Sequence, residues 1–321
     1  MKRILTAAIV LVATVCLQVA RAGDYPSKPI HVLTTSSAGG ISDIFVRALN
    51  EKMQPYLGQP LIIENKPGGA GNIAARFCQE APPDGYTICI INADTMIYNQ
   101  FLYKQVPFDP EKGLIPIVNL FHLIQVLVVN SSLNVKTVDE LVAASKSKPG
   151  TLNYLTASIP CVVYMDTLKK ERGADWIRVP FKGGGEAVTA ILSGTTPIGL
   201  FGLGNVQAHL KAGKMTALAL VNNIRTPQLP DVPTLADLGY GGAPSQTWYG
   251  LFAPSGTPKP IIDRLNAEVR RAFEDKEFVD KFVITRGQVP AINSPEEFAK
   301  EIVTDRVDAN EVVKVSGMEP Q

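Results

Sequence analysis

The sequence predicts an α/β fold in two lobes, each built on a mainly parallel sheet flanked by helices. Three observations predict it. The chain has 321 residues, 45% of them apolar, which is enough to bury a large core and more than one lobe needs. From Tyr25 onward, short apolar runs alternate with amphipathic stretches, the order of repeated strand and helix units. At Pro29-Ile-His-Val-Leu-Thr-Thr-Ser-Ser-Ala-Gly39-Gly40-Ile-Ser-Asp43 an apolar run stops at a Ser/Gly loop and helical spacing follows at once.

Taken in order, the first unit reads as a strand over 30–35 and a helix over 41–54. The helix carries its apolar stripe on Ile41, Ile44, Phe45, Ala48, Leu49 and Met53. A strand at 61–64, a helix at 72–79 and a strand at 86–91 complete it. Two apolar runs, 115–120 and 124–129, lead to Thr137-Val-Asp-Glu140, a capping box that opens a helix toward Lys148. A second unit continues as strand 152–155, helix 160–170, strand 176–180, helix 186–192, strand 197–201, helix 205–211 and strand 215–221. Seven prolines between 222 and 260 make that stretch mostly connection, with one strand at 247–252. Thr257-Pro258 and Ser294-Pro-Glu-Glu297 each start a late helix. These helices have few strands of their own, so they are expected to pack back on the first lobe. The expected organisation is a discontinuous domain 1 at 23–124 plus 246–321, with domain 2 inserted at 125–245 and a hinge around 124 and 246.

The N-terminus carries Lys2 and Arg3, an apolar stretch over 4–20 and the small-x-small triplet Ala20-Arg21-Ala22, so residues 1–22 read as a cleaved signal peptide. Removing them deletes Lys2, Arg3 and Arg21, and 31 basic residues fall to 28 against 30 acidic. That balance does not suggest nucleic acid. Three cysteines then remain, Cys78, Cys89 and Cys161. They form no Cys/His cluster, so no metal is expected, and which of them pair is open.

The strand, glycine loop and helix junction at 36–40 matters chemically. A helix N-terminus offers unpaired N–H groups and a partial positive charge, so it can hold a carboxylate or phosphate without a basic side chain. Glu64-Asn-Lys-Pro-Gly68-Gly69-Ala70-Gly71-Asn72 repeats the arrangement at the next strand. In the second lobe Thr156-Ala-Ser158 and Phe181-Lys182-Gly183-Gly184 stand at strand ends. Each loop alone could be an ordinary turn; together they indicate a ligand cleft. Lys182 could neutralise a bound anion or simply be solvated. Asp43 and Arg47, four apart on a helix, read as an exposed ion pair. Gly69-Ala-Gly71-Asn-Ile-Ala74 also matches a dinucleotide pattern, with Asp94 where a ribose acceptor would stand. Against an exported nucleotide-binding enzyme, the motif belongs to the second strand and Lys66-Pro67 alters its turn. No G-x-S-x-G or H-E-x-x-H occurs, and the three histidines read as packed or solvated.

The motifs Tyr25-Pro-Ser-Lys-Pro-Ile, Ala38-Gly-Gly-Ile-Ser-Asp43, Glu64 to Asn72, Pro83-Asp-Gly-Tyr86, Val179-Pro-Phe-Lys-Gly183, Lys211-Ala-Gly-Lys214, Leu229-Pro-Asp-Val-Pro-Thr234 and Ala253-Pro-Ser-Gly-Thr-Pro258 run in order along the chain. They resemble the Bug family, the periplasmic solute-binding proteins of tripartite tricarboxylate transporters. The resemblance implies a Venus-flytrap periplasmic binding protein, not an enzyme and without cofactor, that works as a monomer with membrane transporter subunits. It implies a ligand carboxylate held between the loops of Ser36, Ser37, Gly39 and Gly40 and of Gly68, Gly69, Ala70, Gly71 and Asn72. Thr156, Ser158, Phe181, Lys182, Gly183, Gly184 and Asn205 would read the ligand's other end. Two departures stand out. Thr156-Ala-Ser-Ile-Pro-Cys-Val-Val163 is bulkier than the family's small-residue stretch, and Phe201-Gly-Leu-Gly-Asn205 replaces the family's frequent Phe-Asp-Asn. The expected ligand therefore lacks an ammonium group and has an apolar body, as an aromatic or medium-chain dicarboxylate does. A role in sensing, through a membrane histidine kinase, is the alternative to transport.

Overall fold

The computed structural model describes residues 25–156, 158–179, 184–221, 224–239, 247–316 and 320. The expected signal peptide and residue 246 of the expected hinge lie outside the described residues. The first unit is β1 (Ile30–Thr34), α1 (Ile41–Leu57), β2 (Leu61–Asn65), α2 (Asn72–Gln79) and β3 (Thr87–Asn92). After β3 a π-helical turn, Asp94–Tyr98, leads into α3 (Asn99–Leu102) and then to β4 (Leu114–Leu123). The second unit comprises β5 (Gln125–Asn130), α4 (Val138–Ser147), β6 (Asn153–Leu155), α5 (Ile159–Arg172), β7 (Ile177–Arg178), α6 (Gly184–Ser193), β8 (Ile198–Gly202), α7 (Leu203–Lys211) and β9 (Met215–Leu220). The chain ends through β10 (Trp248–Pro254), α8 (Lys259–Ala272), α9 (Lys276–Phe282), β11 (Gln288–Pro290) and α10 (Pro295–Ser316).

The strands form two sheets, ordered β11-β4-β10-β3-β1-β2 and β7-β6-β8-β5-β9. Helices cover both, in the two-lobed α/β arrangement. Each sheet is mixed rather than mainly parallel. β1 is parallel to β2 and β3, and β6 to β7 and β8, whereas β10 runs antiparallel to β3 and β4, and β5 to β8 and β9. The reason is connectivity. β4 passes into β5 through Ile124 alone, with no crossover helix, and β10 returns from the other sheet, so both enter against their neighbours.

That connection also fixes where the lobes meet. The described crossing leaves the C-terminal end of β4, so the carboxyl ends of β1 and β3, which run with β4, face the second sheet. β5 starts at the same boundary and β8 opposes it, so β6, β7 and β8 end there too. Ile124 is fully buried and clamped from both sides: its N–H donates to Gly287 O (3.1 Å) and its carbonyl accepts from Leu203 N–H (2.7 Å).

Apolar clusters fill both faces of each sheet. Phe45, Phe121, Leu265 and Phe278 lie on the α1 face of the first sheet; Met96, Trp248 and Phe298 lie on the other. Both late helices pack on this sheet, α8 through Ile262, Leu265 and Val269 and α10 through Phe298 and Ile302. Thr137 caps α4 as its capping box predicts, accepting from Glu140 N–H at 3.1 Å while Glu140 accepts from Lys136 N–H at 2.6 Å. Among the labelled elements, three have no counterpart in the periodicity reading: the short α3 with the π-helical turn before it, α9, capped by Asp275, and the three-residue β11. Cys78 on α2 and Cys89 on β3 form a disulfide, and Cys161 is free and buried.

Candidate functional site

The first glycine loop is held from below by two side chains of adjoining elements. Asn65, at the end of β2, donates to Thr34 Oγ1, Ser36 O and Asp43 Oδ1 at 3.0–3.1 Å. Asp43 is only 3% exposed and accepts from Gly39 N–H (2.9 Å) and Arg47 Nε (3.0 Å). Two expectations are corrected here. Asp43 is not part of an exposed pair, because the turn into α1 folds over it. Gly39 does not offer its N–H to a ligand, because Asp43 holds it. Burial by itself would raise the Asp43 carboxyl, but hydrogen bonds from Arg47, Gly39 and Asn65 outweigh burial and hold it below the usual carboxylate range. Gly40 N–H is likewise turned inward, to Ser37 O at 2.9 Å, and Ser36 Oγ accepts from Ser42 Oγ at 2.8 Å. The remaining donors are the first-turn N–H groups of α1, Ile41 to Asp43, since the ladder begins with Ile44 N–H on Gly40 O.

The second glycine loop takes a left-handed path through Gly69, Ala70 and Gly71, with Gly68 also at positive φ. Glycine is required at Gly71, where a Cβ would stand 2.1 Å from Thr95 Oγ1. Ala70 O is fixed from the π-helical turn and α3, by Thr95 Oγ1 at 2.9 Å and Asn99 Nδ2 at 3.0 Å. The buried Asn72 side chain accepts from Asn99 at 2.7 Å, so it braces the loop. Gly68, Gly69 and Ala70 are exposed.

Across the boundary, Thr156 and Ser158 follow β6 and are buried. Ser158 N–H donates to Thr156 Oγ1 at 3.2 Å, and Ser158 stands at the N-cap of α5 without capping it through its side chain. Gly184 opens α6, while Phe181, Lys182 and Gly183 lie outside the described residues. Asn205 is exposed in the first turn of α7. The structure brings Asn205 to Gly39: both line a cavity of about 260 Å³ together with Ile41, Leu123, Arg286 and Gln288. The two lobes thus share one opening beside the clamped Ile124.

One residue here escapes the sequence reading and another takes a different setting from the one it was read in. Arg286 brings a positive charge to the shared cavity from the turn after α9, a stretch without a motif. Asp94, which the sequence offered only as the ribose acceptor of a dinucleotide pattern, follows the C-terminal end of β3, the strand-end position that marks the other loops. Its Oδ1 is buried and makes no hydrogen bond among the described residues. Burial pushes the Asp94 carboxyl up to about 6. Burial, and after it the Asp94 charge, raise the phenol of Tyr249. The Cys161 thiol of α5 is pushed up to about 12 by burial, against the lowering effect of its side-chain hydrogen bonds with Ser158 and Thr156. Across the boundary, Ile159 of α5 packs against the cluster that holds Met96, Tyr98 and Trp248. Of the other ionisable candidates, His31 pairs with Glu64 at 2.6 Å on the strand surface, and burial pushes His122 down to about 4.

Comparison with known proteins follows the same lines. Residues 45–315 match the TctC family, described as the tripartite tricarboxylate transporter family receptor. Protein BugT of Bordetella pertussis is 29% identical, over 92% of each chain. Among solved structures, an R. palustris protein with adipate is 25% identical with a TM-score of 0.81, covering 92% of this chain and 100% of its own. MatC from Rhodopseudomonas palustris with bound malate is 29% identical with a TM-score of 0.75, covering 90% and 100% respectively.

Proposed function

Because this chain belongs to the tripartite tricarboxylate transporter receptor family, we propose that it captures a small dicarboxylate between its two lobes in the periplasm and delivers it to the membrane subunits of such a transporter. The observation that carries this reading is the convergence of strand ends at the lobe boundary. Parallel strands of each sheet end there in polar or glycine-rich loops, and residues of both lobes line one cavity. A carboxylate is favoured over a cation because the N-termini of α1, α5 and α7 all open at this boundary and Arg286 adds positive charge. The relatives solved with adipate and malate support a dicarboxylate. A medium-chain or aromatic body suits the apolar side chains beside the second-lobe loops, Ile159 and Val162 among them. The ligand contacts in this reading are the loops at 36–40 and 68–72, Thr156, Ser158, Gly184 and Asn205, with Phe181, Lys182 and Gly183 from the undescribed stretch. The lobes that move are 23–124 with 246–321, and 125–245.

A thermal-shift screen of carboxylates, followed by calorimetry, tests the reading. A ligand present at 100 times its dissociation constant stabilises the protein by about 2.7 kcal/mol. The expected result is a dicarboxylate that binds wild type and fails to bind Gly71→Ala, whose added Cβ displaces Thr95 and the loop it holds, while that variant keeps its circular dichroism spectrum. A panel in which no carboxylate shifts the melting temperature, or a variant with wild-type affinity, removes the proposal.

A further inference from the structure

We propose that the cavity shared by the two lobes selects a 2-hydroxydicarboxylate, with Arg286 and the first turns of α1 and α7 holding one carboxylate and Gln288 accepting from the hydroxyl beside it. This rests on the dicarboxylate reading above and adds to it the ligand's substituent and the two residues that select it. Gln288 is the observation that points to a ligand. It lines the cavity, is 5% exposed, and its Oε1 makes no hydrogen bond among the described residues. Its backbone is fixed, since its N–H donates to Val283 O at 3.1 Å and it stands opposite Leu123, which lines the same cavity. Buried polar atoms are paired in most folded proteins, so an unpaired acceptor in a cavity wall calls for a donor that arrives from outside.

The rest of the wall decides which donor. Arg286 brings a guanidinium that lies 5.9 Å from the centre of the Phe282 ring and has no acidic partner among the described residues. α1 and α7 reach the cavity at their N-terminal ends, through Ile41 and through Gly204 and Asn205. Their N-caps, Gly40 and Gly202, supply no side-chain cap, so first-turn N–H groups stay open to an anion, apart from that of Leu203, which donates to Ile124 O. A carboxylate answers these donors but has no hydrogen to give Gln288 Oε1. An ammonium group could give one, yet among the described residues no Asp or Glu lines the cavity, Arg286 repels a cation, and Asp43 of α1 is already tied to Arg47 and Gly39. A cation without a partner in such a site is strongly unfavourable. A hydroxyl on the carbon next to the carboxylate donates without a charge and completes the set.

Titration calorimetry on two matched series tests this: adipate against 2-hydroxyadipate and 2-aminoadipate, and succinate against malate and aspartate, so that chain length is not prejudged. In the series that binds, wild type is expected to take the hydroxy acid about tenfold more tightly than the unsubstituted acid, and the amino acid more weakly than either. Gln288→Met removes the amide at similar length and should bring the hydroxy acid down to the unsubstituted level while leaving the latter unchanged. Arg286→Gln should weaken the hydroxy and unsubstituted acids alike, by about tenfold. Wild type that binds the unsubstituted acid as tightly as its hydroxy partner would overturn the proposal while leaving the dicarboxylate reading intact, and this comparison needs no variant to fold. A hydroxyl preference kept by Gln288→Met, or full affinity in Arg286→Gln, would also overturn it, as would a preference for the amino acid. If no member of either series binds wild type, both readings fall.

Discussion

Asp43 illustrates how a single side chain changes meaning once its surroundings are known. Its spacing to Arg47 is visible in the sequence, and an exposed pair of that kind contributes roughly 0.3 to 0.5 kcal/mol. In the folded chain the same carboxylate is buried and ties Gly39, Asn65 and Arg47 together beneath the first glycine loop. Removing it leaves buried donors unpaired, which costs about 1–3 kcal/mol per group. Asp43→Ala is therefore expected to lower stability by about 2 kcal/mol at pH 7 in urea denaturation and to weaken ligand binding by loosening the loop. The sign with pH follows from the depressed carboxyl. Its contribution is present above the unfolded value near 3.9 and is lost as pH falls through the lower folded value, so wild type and variant should converge in acid. An outcome near 0.4 kcal/mol would return Asp43 to the role its spacing suggests.

At the scale of elements, the lobes are joined by a close backbone approach that no helical or strand pattern signals. The N-terminus of α7 and the turn at 284–287 touch through two glycines. A Cβ on Gly204 would lie 2.2 Å from Arg286 O, and one on Gly287 would lie 2.5 Å from Gly204 N. Backbone cannot step aside as a flexible side chain does, so Gly204→Ala has to separate the two elements. Overpacking of this kind costs about 1–3 kcal/mol. The expected outcome is a loss of stability in that range, with a ligand affinity that falls because the shared cavity beside Gly204 and Arg286 is reshaped. Urea denaturation and calorimetry on the same variant measure both, and an unchanged value in each would show that the two elements separate freely.

For the molecule as a whole, the proposed movement is closure of one sheet-based lobe on the other about Ile124. Residue 247 lies next to this pivot, since Leu123 N–H donates to Thr247 O at 2.7 Å, and the segment leading back to the first sheet therefore arrives beside the segment leaving it. Adjacent connections permit a hinge and oppose independent drift of the lobes. Small-angle scattering should show a small decrease in radius of gyration at saturating ligand. Superimposable profiles with and without a ligand that calorimetry shows to be bound would rule closure out.

What the sequence determined by itself was the series of elements and the loops between them. Apolar periodicity marks β1 through α2 within a residue or three, and Thr137 with Glu140 announces the start of α4, because these signals are local and each is enforced by burial or a cap within a few residues. The loops at 36–40, 68–72 and 156–158 were legible for the same reason: a strand followed by glycine or serine and then by helical spacing is a local pattern. Strand direction was not legible, since an apolar run reads the same whether β10 lies parallel or antiparallel to β3. Nor were the bond from Asn65 to Asp43 or the approach of Gly204 to Gly287. Those depend on residues 22 and 83 positions apart meeting in space, and only the tertiary structure decides which backbone donors are already taken and which stay open at the lobe boundary.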